Sequence, residues 1–191
     1  LAARLNLPGA DQLYQQRLND LLTANNVAGA AQLAASAPAL RTQDTIRRFQ
    51  ALPTQAGQPP PVLQYFTLLM NSGRLNAQES VELCKPAVAQ RRTELITRWL
   101  SEDKLTCSEV LGDMLAPIDA ALALKVYYAS GEAHEKVMNC LLKTQQFDRI
   151  IPYAQEKSYT PNWHFVLHSV VTVNPAQALQ MALAWLEEHP I

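Results

Sequence analysis

Apolar positions recur along this chain with the period of an α-helix. Val27, Ala30, Ala31, Ala34 and Ala35 follow the spacing i, i+3, i+4, i+7, i+8. So do Cys107, Val110, Leu111, Met114 and Leu115, and again Trp163, Val166, Leu167, Val170 and Val171. Phe147, Ile150, Ile151 and Ala154 follow the first four terms. Each such stripe covers about a third of a helix circumference and must be buried against a neighbour. No stretch of five or more residues alternates as a strand would. The pattern predicts short helices over 10–24, 27–36, 43–51, 61–71, 77–84, 87–102, 107–115, 118–130, 132–143, 145–157, 161–172 and 175–188. Breaks fall at Asn25-Asn26, Ser72-Gly73, Ser130-Gly131 and around Lys157-Ser158. Thr160-Pro161 and Asn174-Pro175 each place a capping side chain before a proline that can open a helix. Asn76 with Glu79, and Thr106 with Glu109, have capping-box spacing.

A degenerate repeat overlies these helices. A polar break precedes an apolar anchor in ANNV ending at Val27, SGRL at Leu75, EDKL at Leu105, SGEA at Ala133 and TQQF at Phe147. The steps from Leu75 to Leu105 and on to Ala133 are each about one helix pair long, the signature of stacked helical repeats. The last predicted helix has two apolar faces, Ala178, Met181, Ala182 and Trp185 on one and Leu179, Leu183 and Leu186 on the other. A helix inside a stack needs two such faces; without a further repeat, one of them is exposed. These features predict an all-α fold, an α-solenoid built as a right-handed α-α superhelix or zigzag of short antiparallel helices.

The hardest interruption reads LPTQAGQPPP, residues 52–61. Proline lacks an N–H, clashes with the preceding turn and pushes the residue before it to an extended conformation. Residues 52–60 therefore read as a stiff, largely extended strap, with Pro61 opening the next helix. Pro-rich composition also invites docking to an SH3-like domain, though a fixed strap over a helical stack is the plainer reading.

Composition narrows the function. Charged residues make up 17% of 191 and the net charge is −1, so the basic excess of a phosphate-binding surface is missing. The pairs Arg47-Arg48 and Arg91-Arg92 read as solvated helix faces. No apolar run approaches a membrane span, and Leu1 to Ala10 lacks the charged start and apolar block of a signal peptide. The start at Leu1, within a helix-like pattern, and the end at Ile191 suggest a piece of a longer chain. Cys84, Cys107 and Cys140 are far apart and lie on apolar stripes, which fits buried thiols in a reducing compartment. His164 and His168 have the i, i+4 spacing of metal ligands, but the zincin motif needs Glu after the first His and Phe165 stands there. Trp99, Trp163 and Trp185 lie on apolar stripes and read as core. Glu102-Asp103-Lys104 reads as a polar turn, and Glu132 with Lys136 as an ordinary helix pair. No nucleophile elbow, S-x-x-K or Gly-rich phosphate loop occurs.

Several stretches resemble the clathrin heavy chain: DTIRRFQ at 44–50, LQYF at 63–66, ESVELCKP at 79–86, RWLSEDKLTCSEVLGD at 98–113, YTPNW at 159–163 and NPAQALQ at 174–180. They run in family order and cover nearly the whole chain. PALR at 38–41 is shorter than the family's equivalent, and VYYASGEAHEKVMNC at 126–140 diverges from it. The resemblance implies residues 1–52 as a helical linker segment, 53–60 as a connector and 61–191 as the start of the solenoid leg. It implies a structural scaffold in the polyhedral coat of coated pits and vesicles, at the cytoplasmic face of membranes and not inserted in them. The implied partners are other heavy chains, with light chains and adaptors binding elsewhere on the full protein. It carries over no catalytic, cofactor-binding or metal residue and assigns no lattice contact. Two rivals stand beside it: a peptide-binding tetratricopeptide-like module, and an all-α metalloenzyme using His164 and His168.

Overall fold

A computed structural model describes residues 10–188. The helix-like start at Leu1 and the end at Ile191 lie outside these residues. Among the described residues there are twelve α-helices, two short 3-10 turns and no strand. The chain divides into two compact units, one running to Thr106 and the other from Cys107.

The first unit contains α1 (Ala10–Thr23), α2 (Val27–Ser36), a 3-10 turn (Pro38–Leu40), α3 (Gln43–Ala51), α4 (Pro61–Ser72), α5 (Ala77–Ala89) and α6 (Thr93–Ser101). Its most extensive packing joins α2 to α4. The buried face of α2 is Ala30, Ala31 and Ala34. Such small side chains let the larger Tyr65, Phe66 and Leu69 of α4 approach closely. Each of these larger side chains contributes roughly 1.5–3 kcal/mol by leaving water. Phe49 of α3 stacks on Tyr65, ring centroids 4.5 Å apart. The second unit contains α7 (Glu109–Leu115), α8 (Ala120–Ser130), α9 (His134–Lys143), a 3-10 turn (Phe147–Arg149), α10 (Ile150–Glu156), α11 (Trp163–Val171) and α12 (Pro175–Glu188). Here α7 packs on α8, α8 on α9 and α11 on α12. Neighbour-on-neighbour packing of short helices is the solenoid-like arrangement expected from the stripes.

The repeat has a structural basis. Five non-glycine residues have positive φ among those described: Asn25, Arg91, Asp103, Gln145 and Ser158. Each ends a helix in the same way. The amide of the next residue reaches back five residues: Asn26 to the Leu21 carbonyl, Arg92 to Ala87, Lys104 to Trp99, Gln146 to Leu141 and Tyr159 to Ala154, all at 2.8–2.9 Å. The left-handed residue itself donates to Leu22, Val88, Leu100, Leu142 or Gln155. This pair of bonds satisfies carbonyls that a helix end otherwise leaves open. Two residues beyond Asp103 and Gln145 come the anchors Leu105 and Phe147, both buried; Leu75 and Ala133 are buried too, while Val27 is half-buried.

Several expectations need correction. Helix α5 does not stop before Pro86 but runs through it to Ala89. Pro86 sits on the exposed face, where water can take the place of its missing N–H, while Leu83, Cys84 and Ala87 hold the other face in the core. The break comes at Arg91, so Arg91-Arg92 lie in a turn and not on a helix face. Helix α11 is capped by Asn162, whose side chain accepts from the Phe165 amide at 3.1 Å, and not by Thr160. Helix α7 is capped by Ser108 and not by Thr106. Asn76 and Asn174 do cap as expected. The strap opens α4 with Pro61 as its first residue, but its course is broken by a turn in which the Gln58 amide meets the Gln55 carbonyl and Gly57 has φ +78°.

Candidate functional site: a carboxylate buried at a helix start

The most constrained polar centre of the described residues is Glu79, fully buried in the first turn of α5. A buried carboxylate is costly unless every oxygen is hydrogen-bonded and a cation stands opposite. Both conditions hold. Oε1 accepts from the Arg41 Nε at 3.0 Å and from the Tyr65 hydroxyl at 2.9 Å. Oε2 accepts from the Asn76 amide at 2.9 Å and from the Arg41 Nη2. Asn76 Oδ1 accepts in turn from the Glu79 amide at 2.9 Å, closing a capping box. Arg41 also donates to the Arg74 carbonyl, and Asn76 Nδ2 to the Arg41 carbonyl. The Glu79 hydrogen bond raises the Arg41 pKa further, outweighing the opposite effect of burial. Burial, reinforced by Glu79, pushes the Tyr65 phenol well above its ordinary value.

A second chain of bonds continues from the same helix start. Buried Ser80 donates to the Asn76 carbonyl and accepts from the Thr106 amide at 2.9 Å. Thr106 donates to the Leu75 carbonyl at 2.6 Å. The Leu75 amide meets the Lys104 carbonyl, and Lys104 Nζ donates to the Met70 carbonyl at 2.7 Å. The polar turn Glu102-Asp103-Lys104 is thus tied to the end of α4, and Arg74 pairs with Asp103 across it. Sequence spacing located the capping box but not Arg41 or Tyr65, which lie 38 and 14 residues from Glu79. An acid as a capping residue reads as exposed unless its distant partners are known.

The residues singled out for chemistry are dispersed. His164 and His168 are both exposed on α11, rings parallel with centroids 6.5 Å apart. Among the described residues no group of three or more His, Cys, Asp or Glu is placed to hold a metal ion. Cys84 and Cys140 are buried and Cys107 is half-buried. Burial pushes the Cys84 thiol up to about 12 and raises Cys140 as well. Trp99, Trp163 and Trp185 are half-buried and not core; Trp163 and Trp185 flank a groove of about 510 Å³ with Ile151 and Ala154. Lys136 pairs with Glu109 and Asp113 of α7 rather than serving as a helix-face partner of Glu132. That contact holds the Asp113 carboxyl below its ordinary range. Exposed apolar side chains concentrate on one face of α12, where Leu179 and Leu183 are 62% and 52% exposed. No helix among the described residues is long and apolar enough to cross a membrane.

Residues 6–69 match the Clathrin-H-link family model. The chain is 45% identical over 191 residues to clathrin heavy chain 2 of Homo sapiens, covering 99% of this chain and 12% of that protein. It is 44% identical to the clathrin heavy chain of Drosophila melanogaster over 195 residues, 100% of this chain and 12% of the relative. It is 38% identical to a probable clathrin heavy chain of Schizosaccharomyces pombe over 192 residues, with the same coverage. The chain spans 12% of the length of these relatives. The buried polar residues sit within the matched sequence, Glu79 and Ser80 in the stretch ESVELCKP. Along its whole length, then, this chain belongs to the clathrin heavy chain family, in the segment that opens with the Clathrin-H-link.

Proposed function

We propose that this segment is a structural, non-catalytic part of the leg of a clathrin coat. Similarity to clathrin heavy chains along the entire chain carries the reading. The helical stack supports it, because neighbour-on-neighbour packing extends a chain without needing a single central core. In this reading residues 1–52 are the helical linker, 53–60 the connector and 61–191 the first part of the leg. The partners are other heavy chains in the coat; light chains and adaptors engage parts of the full protein outside this segment. The place of action is the cytoplasmic face of coated pits and vesicles. A net charge of −1 lets neighbouring legs approach without strong repulsion, and exposed polar side chains make many weak contacts. No observation favours a peptide-binding repeat module.

The test is cage assembly by the full-length heavy chain. Charge reversal at exposed Arg47, Glu94 and Lys125 together should raise the concentration needed for assembly, measured by sedimentation and electron microscopy. Unchanged assembly by a correctly folded triple variant would sink the reading of polar leg-to-leg contact.

A further inference from the structure

The Pro-rich strap divides the chain in sequence, yet the strongest contacts of the first unit cross it. Helix α2 packs on α4, α3 on α4 and α5, and Phe49 stacks on Tyr65. The Glu79 carboxylate joins Arg41, which precedes the strap, to Tyr65 and Asn76, which follow it. Gln43 reaches Glu82 across the same gap at 3.1 Å. The strap itself contributes little. Residues 53–60 are all exposed, and the hydrogen bonds their atoms make are local: a turn from Gln58 to Gln55, the Leu63 and Gln64 amides to the Pro60 carbonyl at the start of α4, and the Gln64 side chain to the Pro59 carbonyl, none of them reaching an element before the strap.

We infer that Glu79 is a non-covalent latch that makes residues 10–51 and 61–106 one folded body, so that the strap is a passive tether and not a hinge. Two consequences separate this from a flexible junction between linker and leg. Cutting the strap leaves the two pieces bound. Loosening the latch, and not the strap, releases them. The family model ends at residue 69, inside α4, so the latch places the true edge of the folded unit beyond that boundary. The inference stands on the contacts described and does not depend on a role in a coat.

The experiment uses the whole chain with residues 54–58 replaced by a site-specific protease sequence. After complete cleavage without denaturant, the two pieces are expected to co-elute at the mass of the uncut chain in size-exclusion chromatography with light scattering. Separation of the pieces at micromolar concentration would overturn the inference. Glu79→Gln in the cut chain removes the charge but keeps the shape, and should weaken association of the pieces at least tenfold. Glu82→Gln, at a half-buried acid on the same helix, should weaken it less. Equal affinity for the cut parent and the cut Glu79→Gln chain would remove Glu79 as the latch. Should uncut Glu79→Gln fail to fold by circular dichroism, Tyr65→Phe replaces it. That variant deletes one hydrogen bond to the carboxylate and should weaken association roughly tenfold; no change would count against the latch equally.

Discussion

The first unit buries Thr45, Glu79 and Ser80; the second, among its described residues, buries no charged or amide side chain and no Ser or Thr, and the hydroxyls of its buried Tyr127 and Tyr153 reach out to Asp113 and His134. The second unit relies on fit. Gly112 of α7 lies under the ring of Tyr127 of α8, where an added Cβ would stand 2.2 Å from a ring carbon. Its charged groups stay outside, as Lys136 does with Glu109 and Asp113. The contrast separates two ways of fixing one arrangement. A buried carboxylate tolerates only the geometry in which all its donors arrive together. An apolar interface tolerates several arrangements and is narrowed by shape.

The largest effect should come from breaking the carboxylate centre. Glu79→Ala strands the Arg41 guanidinium and the Tyr65 hydroxyl and should destabilise the first unit by about 3 kcal/mol or more. Urea titration followed by hydrogen exchange in α2, α4 and α5 would measure it; a loss below about 1 kcal/mol would mean water replaces the carboxylate freely. Next comes Gly112→Ala, which overpacks the α7–α8 contact and should cost roughly 1–3 kcal/mol. A compensating Tyr127→Leu should recover part of that loss, since shape can be refitted. No single change elsewhere should do the same for Glu79→Ala. A double-mutant cycle that came out additive for Gly112 and Tyr127 would contradict the close contact.

Smaller effects sharpen the same contrast. Asn162→Ala should cost about 1 kcal/mol through loss of the α11 cap, while Thr160→Ala stays within a few tenths; thermal unfolding of the two variants decides which residue caps. The pH dependence lies on the alkaline side. Tyr65 and Tyr127 have pKa values raised above the ordinary 10.0, chiefly by burial and then by Glu79 and Asp113. A raised folded-state pKa gives stability that is fully present below pH 10 and is lost as pH rises past that value toward the folded pKa. Stability should therefore be flat in these groups from pH 7 to 9 and fall above 10. Tyr65→Phe should blunt the fall, as read from unfolding midpoints at pH 9 and 11.

Much of the fold was legible because the apolar stripes are local. The spans of α2 and α3 follow from Val27 through Ser36 and from Gln43 through Ala51, with Asn26 and Thr42 capping them. The errors arose where tertiary packing overrides a local rule. Pro86 should stop a helix, yet one buried face of α5 holds it together. Thr106 looks like a cap, yet its hydroxyl and amide serve Leu75 and Ser80. The carboxylate centre was half legible: the spacing of Asn76 and Glu79 belongs to one turn of helix, whereas Arg41 and Tyr65 come from elements whose pairing no local pattern encodes. Family motifs placed Tyr65 and Glu79 in order but said nothing about their contacts.

The five matched helix endings carry a lesson about mutation. Asn, Arg, Asp, Gln and Ser all occupy the left-handed position, where a side chain costs about 1–2 kcal/mol relative to right-handed backbone. Five different residues performing one task means that identity there is nearly free, and glycine would be an improvement at any of them. Length is not free. One residue inserted between Leu141 and Gln146 would disrupt the two closing bonds and turn the following apolar stripe by about 100° about the helix axis. Along this chain, substitutions at the turns should drift and accumulate, while insertions and deletions should be confined to segments such as 53–60 that no stripe depends upon.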